Sequence, residues 1–226
     1  MTKPQVGLGE IKAFIGSFTV PTDHSDFHSQ KARGLYRRFH ALLLWEIPLD
    51  SDRQAPAVRL YLRESLSDTA SAYMLNFMGG YKAARLCLRG AIENSIRAIT
   101  AAAGVDILTI TSVYALVDHC RRDWATTPKR LETLNNLYGI YTELCNTVHS
   151  TSVGYMALRV PFEKIFEYEE AIERSNASVM NNTMKLIGDA FYLTFHASLE
   201  GLDYRNADYI RDTVEAVVKR EATGLQ

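Results

Sequence analysis

Apolar residues recur along most of the chain at three- and four-residue intervals, the spacing that lines one face of an α-helix. Strand-like signals are scarce, and the best, Ile107–Ser112, is short. Residues 1–23 read as an irregular arm with Phe14, Ile15 and Phe18 as docking points. Pro21 and Thr22 or Asp23 can open a first helix of about Asp26–Ile47, which stops before Pro48. Its stripe is Leu35, Phe39, Leu42, Leu43 and Ile47. Asp50–Pro56 is a loop. A long helical region covers about Ala57–Ala103, kinked or broken at Gly79-Gly80, since each glycine costs about 1 kcal/mol against alanine in a helix. Gly104 ends it.

A short helix follows at Ser112–Arg122, and Pro128 suits the first position of the next, which runs to about His149. Ser150–Gly154 is a turn, and Arg159-Val160-Pro161 is extended. A long helix covers about Glu163–Leu199, Gly201 closes it, and Asp208–Glu221 forms the last helix. The expectation is an all-α bundle of six or seven helices. Residues 24–226 form one helical domain behind the arm, since no repeat or Gly/Pro/Ser-rich linker interrupts them.

Composition narrows the function classes. The net charge of −1 gives no bulk basic field for nucleic acid, so any such contact is local. Three dispersed cysteines, Cys87, Cys120 and Cys145, suggest reduced thiols in a cytoplasmic protein. Met1–Glu10 is polar and carries no export signal, and Ala98–Leu108 falls far short of the ~20 residues that span a bilayer. The expectation is therefore no membrane partner.

Two helices carry candidate chemistry. Between Ala83 and Ile99 the charges Arg85, Arg89, Glu93 and Arg97 fall in one i, i+4 row on an otherwise small and apolar helix. The row is either a ladder of ion pairs or a set of guanidinium forks held for a phosphate or carboxylate. In Pro128–His149, Leu131, Leu134, Leu137, Tyr141, Leu144 and Val148 make an apolar stripe. Tyr138, Thr142, Asn146 and His149 form a polar row on its edge, with Ser150 just beyond. His149 either caps the helix dipole or serves proton transfer near neutral pH.

Weaker groupings read as ordinary surface or core. His24 and His28 with Asp23 and Asp26 sit where a helix begins and read as surface polarity rather than a metal site. Asp118-His119-Cys120-Arg121-Arg122 lacks a second histidine or a triad order. No glycine-rich phosphate loop follows a strand. Glu163, Glu167, Glu169, Glu170 and Glu173 read as a solvated face, and Phe191, Tyr192 and Phe195 as core. No cofactor or metal is expected.

The segments Leu88-Arg89-Gly90-Ala91-Ile92-Glu93-Asn94-Ser95-Ile96-Arg97 and Tyr138-Gly139-Ile140-Tyr141-Thr142-Glu143-Leu144-Cys145-Asn146-Thr147-Val148-His149-Ser150 together resemble bacterial HEPN-like (higher eukaryotes and prokaryotes nucleotide-binding) helical proteins. The resemblance spans about Ala57–Leu199. It implies a compact helical bundle, usually dimeric, and in many members a metal-independent RNase of toxin–antitoxin, abortive-infection or other defence systems. Such sites join an Arg and a His, spaced by four to six residues, from both protomers. They drive attack of a ribose 2′-hydroxyl on the neighbouring phosphate. His149 matches the motif His and Asn146 its internal polar residue. The motif Arg is replaced, because the positions five to seven residues before His149 hold Leu144, Glu143 and Thr142. Either Arg89 or Arg97 supplies the charge, or the module is inactive.

The implied catalytic set is His149, Arg89, Arg97, Glu93 and Asn146, with Arg85, Tyr138, Thr142 and Ser150 contacting substrate. Geometrically, His149 should sit in a polar groove beside Glu93 and Arg89 or Arg97. Three functions stay open. They are an endoribonuclease acting at a homodimer seam on RNA, a non-catalytic module of the same fold paired with a cognate antitoxin or defence-system protein, and a helical small-ligand-binding protein.

Overall fold

The computed structural model describes residues 30–49, 54–149 and 169–224. Its α-helices are α1 Gln30–Leu44, α2 Glu46–Leu49, α3 Pro56–Phe77, α4 Tyr81–Ala102, α5 Val113–Asp123, α6 Pro128–Val148, α7 Glu170–Phe195, α8 Tyr204–Thr213 and α9 Ala216–Thr223. No strand occurs among the described residues, so the all-α class follows the hydrophobic period. Eight of these helices have eight residues or more, against the six or seven expected. No helix of the described residues is long and apolar enough to cross a membrane.

Helix α4 is the centre. Leu88, Ala91, Ile92, Ser95 and Ile96 are buried, and from Arg97 to Ala101 every residue is buried. It packs on α3 in an antiparallel hairpin that turns at Gly79, whose φ of 79° favours glycine. Gly79-Gly80 thus breaks the long helical region rather than kinking it. The hairpin seam is made of small residues that let the two backbones approach. Ser65 Oγ donates to the Ala91 carbonyl at 3.0 Å and lies 2.6 Å from Ser95 Oγ. A Cβ added at Gly90 would stand 2.5 Å from Asp68 Oδ2, so the Asp68 carboxylate would have to shift to admit any side chain there. Asn94 Nδ2 donates to the same oxygen at 2.9 Å.

One continuous apolar cluster joins these helices to α6, α7 and the C-terminal pair. Phe191, Tyr192 and Phe195 belong to it, as expected. Burying a side chain such as Phe191 contributes about 1.5–3 kcal/mol. Trp124 anchors α5 to α7: its Nε1–H donates to Thr194 Oγ1 at 2.8 Å. Arg130 lies over its ring and donates to the Leu193 carbonyl at 2.8 Å.

Several element boundaries are corrected. Helix α1 ends at Leu44, and Pro48 lies inside α2, whose first turn needs no proline N–H. Ile47 is 57% exposed, and Trp45 and Leu49 take the buried positions instead. Ile107–Thr109 is a 3-10 turn rather than a strand, stopped at Ile110 in extended conformation. Ser112 then caps α5. Leu131 is exposed, outside the apolar stripe. Helix α7 begins at Glu170 and ends at Phe195, where a 3-10 segment His196–Gly201 takes over. Glu173 is 6% exposed and so is not part of a solvated face. The expected last helix is two, because Val214 is extended between them. Asp203 caps α8 and Gly224, with φ 69°, closes α9. The arm at residues 1–23, the start at Asp26, the turn at Ser150–Gly154 and the extended Arg159-Val160-Pro161 lie outside the described residues.

Candidate functional site

The first two arginines of the α4 row, Arg85 and Arg89, point toward α6 and α7. Arg85 Nε donates to Asn176 Oδ1 of α7 at 2.7 Å, and its Nη1 to Thr147 Oγ1 of α6 at 3.0 Å. Arg89 Nη2 donates to Tyr141 Oη at 2.7 Å, its Nε approaches Cys145 Sγ at 3.1 Å, and its guanidinium lies over the Tyr141 ring. Arg97 is 8% exposed and bonds Glu93 Oε1 at 2.9 Å and the Ile110 carbonyl at 2.9 Å. Its guanidinium also covers the Tyr61 ring. Arg85 and Arg89 are therefore cross-links between helices, Arg97 ties α4 to the Ile110 backbone and the Tyr61 ring of α3, and Glu93–Arg97 is the ion pair inside the row.

The electrostatics fit a half-buried cross-link. Burial opposes the Arg89 charge, yet the Cys145 contact and the neighbouring Tyr141 and Glu93 leave its pKa raised. Burial pushes the Tyr141 phenol up to about 12, with Arg89 pulling the other way. Tyr141 thus stays protonated near neutrality and accepts from Arg89 as a neutral hydroxyl.

The polar row of α6 lies on a different edge. Tyr138 is half-buried and stacks against Tyr141, with ring centroids 6.2 Å apart. Thr142 is exposed and its hydroxyl donates back to the Tyr138 carbonyl at 2.9 Å. Asn146 is half-buried, and His149 is exposed at the C-cap, where its backbone N–H donates to the Cys145 carbonyl at 2.9 Å. Ser150 lies outside the described residues.

The helix register separates His149 from Glu93. Thr147, two residues before His149, meets Arg85, while Tyr141 and Cys145 meet Arg89, so α4 and α6 run antiparallel. Glu93 lies eight residues beyond Arg85 along α4, about 12 Å at ~1.5 Å per residue. The expected groove uniting His149 with Glu93 is therefore not formed within this chain. Arg97 lies one turn further still. Of the row, Arg85 is the arginine nearest the His149 end.

That end holds a polar cluster the sequence does not announce. Asn76, Glu173, Asn176 and Thr147 are buried there, from α3, α7 and α6. Asn76 Nδ2 donates to Glu173 Oε1 at 3.4 Å. Asn76 Oδ1 and Asn176 Nδ2 make no hydrogen bond among the described residues. Tyr81 Oη joins the ends of α4 and α7 by donating to the Glu169 carbonyl and accepting from its N–H. The void beside Arg85 and Asn176 is too narrow to admit water, so the cluster is a clamp rather than a pocket.

The other groupings stay apart. His119, Arg122 and Asp123 form an exposed network on α5, and the Cys120 beside them is buried. His24 and His28 lie outside the described residues. Among the described residues no group of three or more His, Cys, Asp or Glu could hold a metal ion. No family model matches the chain, and neither a curated protein nor a solved structure matches it significantly.

Proposed function

We propose that this protein is a non-catalytic HEPN-like helical module, acting by interaction with a partner in an intracellular defence or stress system, and assembled as a homodimer. The observation that carries this reading is the engagement of Arg85, Arg89 and Arg97 in hydrogen bonds to Asn176, Thr147, Tyr141, Cys145, Glu93 and a backbone carbonyl. An RNase of this type needs a guanidinium free to meet phosphate next to an imidazole. Here His149 is exposed and the row is committed elsewhere. The partner is a cognate protein of the antitoxin or defence-system kind, encoded beside this one.

The test is an RNA-cleavage assay with EDTA on the wild type and His149→Ala, alongside light scattering. The proposal expects identical RNA profiles for both proteins and for a buffer control, with a dimer mass at micromolar concentration. EDTA-resistant cleavage that disappears in His149→Ala would establish the endoribonuclease instead, with a second copy completing the site. A monomer mass would remove the dimer from the proposal.

A further inference from the structure

Helices α6 and α7 part to leave an open cleft of about 500 Å³, remote from the arginine row and independent of the reading above. The two lysines at one end are already neutralised. Lys129 Nζ donates to Glu132 at 3.1 Å. Lys185 Nζ donates to Asp189 at 3.2 Å and to Glu215 at 2.9 Å. Three carboxylates thus meet two ammoniums, and this end keeps one net negative charge. The exposed Glu143 at the other end adds a second. An ionised carboxylate only accepts, so the cleft asks for N–H donors and positive charge at both ends.

A second observation comes from the seam beneath. Asp189 is 1% exposed, and its Oδ1 has no hydrogen-bond partner among the described residues. Its Oδ2 meets the ammonium of Lys185, a residue of the lining, so the carboxylate adjoins the cleft. Burial is the largest influence on it and holds its carboxyl above the ordinary 3.8, against the pull of Lys185 and Lys129. The ammonium already present therefore does not offset the desolvation. Arg130 bonds the Leu193 carbonyl and Arg85 joins Thr147 to Asn176, which sets α6 and α7 antiparallel and Thr133 level with Asp189. Thr133 is also 1% exposed, and its Oγ1 is also unpartnered among the described residues. A buried carboxylate oxygen and a buried hydroxyl at one height, both unsatisfied, call for a cationic donor arriving from the cleft.

We infer that this cleft binds an aliphatic polyamine, with one terminal ammonium beside Lys185 on Asp189, Thr133 and Glu215, and the other on Glu143. The lengths agree. In the same register Glu143 stands about seven α6 residues beyond the Lys185 ammonium, roughly 10 Å at ~1.5 Å per residue. Spermidine, at ~1.2 Å per bond of extended chain, holds its terminal ammoniums about 11 Å apart. Ile140 and Leu186 line the cleft at heights between the two ends and take the methylenes. At Gly139 a Cβ would meet nothing within 4 Å, so the missing side chain leaves the helix surface open there. An anion meets net negative charge at both ends, and a monoamine answers only one.

The experiment titrates spermidine into the full chain by calorimetry at about 0.15 M salt, which screens exposed charges beyond ~8 Å. The side-chain amide resonances of Asn136 and Asn182, which line the cleft, are followed by NMR. Butylamine, with one ammonium, and magnesium, with compact charge, are the controls. A single saturable site for spermidine, at least tenfold weaker binding of butylamine, and no displacement by an equal concentration of magnesium are expected. Glu143→Gln and Asp189→Asn should each weaken binding at least fivefold. Glu64→Gln, which removes an exposed carboxylate of α3, should leave it unchanged. Circular dichroism checks that each variant is folded, and if Asp189→Asn is not, the surface change Glu143→Gln decides alone. The inference is overturned by the absence of saturation, by equal affinity for butylamine, by displacement with magnesium, by undiminished binding in Glu143→Gln, or by an equal loss in Glu64→Gln.

Discussion

Removing Arg89 should unsettle the fold rather than an activity. The Arg89→Ala protein loses a 2.7 Å hydrogen bond from a charged donor to Tyr141 Oη and a 3.1 Å contact to Cys145 Sγ. A hydrogen bond to a charged group contributes about 1.5–3 kcal/mol. The guanidinium over the Tyr141 ring adds about 0.5–1 kcal/mol. Tyr141 is buried, and its hydroxyl is left with the Cys145 thiol alone, a weak partner. Together these give a loss of about 2–4 kcal/mol. At this chain length each kcal/mol moves Tm by ~2–4 °C, so the melting point should fall by roughly 5–15 °C. The assay is urea unfolding, with Tyr141→Phe and the double variant closing a mutant cycle. A coupling of ~1 kcal/mol or more between the two sites is expected. A loss below ~0.5 kcal/mol, the range of an unremarkable surface change, would show that the guanidinium is free for an anion after all.

Gly90→Ala should lower stability by about 1 kcal/mol, because its Cβ meets Asp68 Oδ2, and should instead raise it by ~0.5–1 kcal/mol in an Asp68→Ala background. Urea curves for the four proteins decide this. Cys120 is fully buried, with its thiol pushed up to about 12 mainly by burial. It should resist alkylation until global unfolding, whereas Cys87 and Cys145 are modified in the native state; mass spectrometry after timed iodoacetamide exposure checks the order. Lys185 is the main cause holding the Glu215 carboxyl below its ordinary 4.5. Its stabilisation is present above that value and fades as pH falls through the lower folded pKa. The stability gap between wild type and Glu215→Gln should therefore be largest at neutral pH and close in acid. A pH-independent gap would remove the ion pair as its cause.

The fold was readable wherever one periodic stripe decided the element. Helix α6 starts behind Thr127, its side-chain cap, and Pro128, and both signals are local. The largely apolar circumference of α4, broken by one charged row, announced a central helix, and burial around its last turn follows. Failures came where tertiary contacts overrode local pattern. Trp45 and Leu49 displaced Ile47 from the core because the chain turns between α1 and α2. Val214 sits in an extended break between two short helices that share one continuous period in sequence.

The candidate site was legible as a row of charges but not as a set of partners. An i, i+4 spacing says that Arg85, Arg89 and Arg97 share a face; it does not say what that face meets. Two of the groups that meet Arg89, Tyr141 and Cys145, are themselves i, i+4 on α6, and that pairing was the one available signal. Tyr141 was hidden because its ring fits the apolar stripe while its hydroxyl acts as an acceptor. Asn176 and Thr147 gave no signal, being single polar residues whose burial depends on how α7 docks. The consequence bears on function. A charged row on an apolar helix reads as a binding face only if no neighbouring helix carries acceptors at matching heights. Here α6 and α7 do, so the same pattern that suggests an anion site in sequence builds the contact that fixes α4 against α6 and α7.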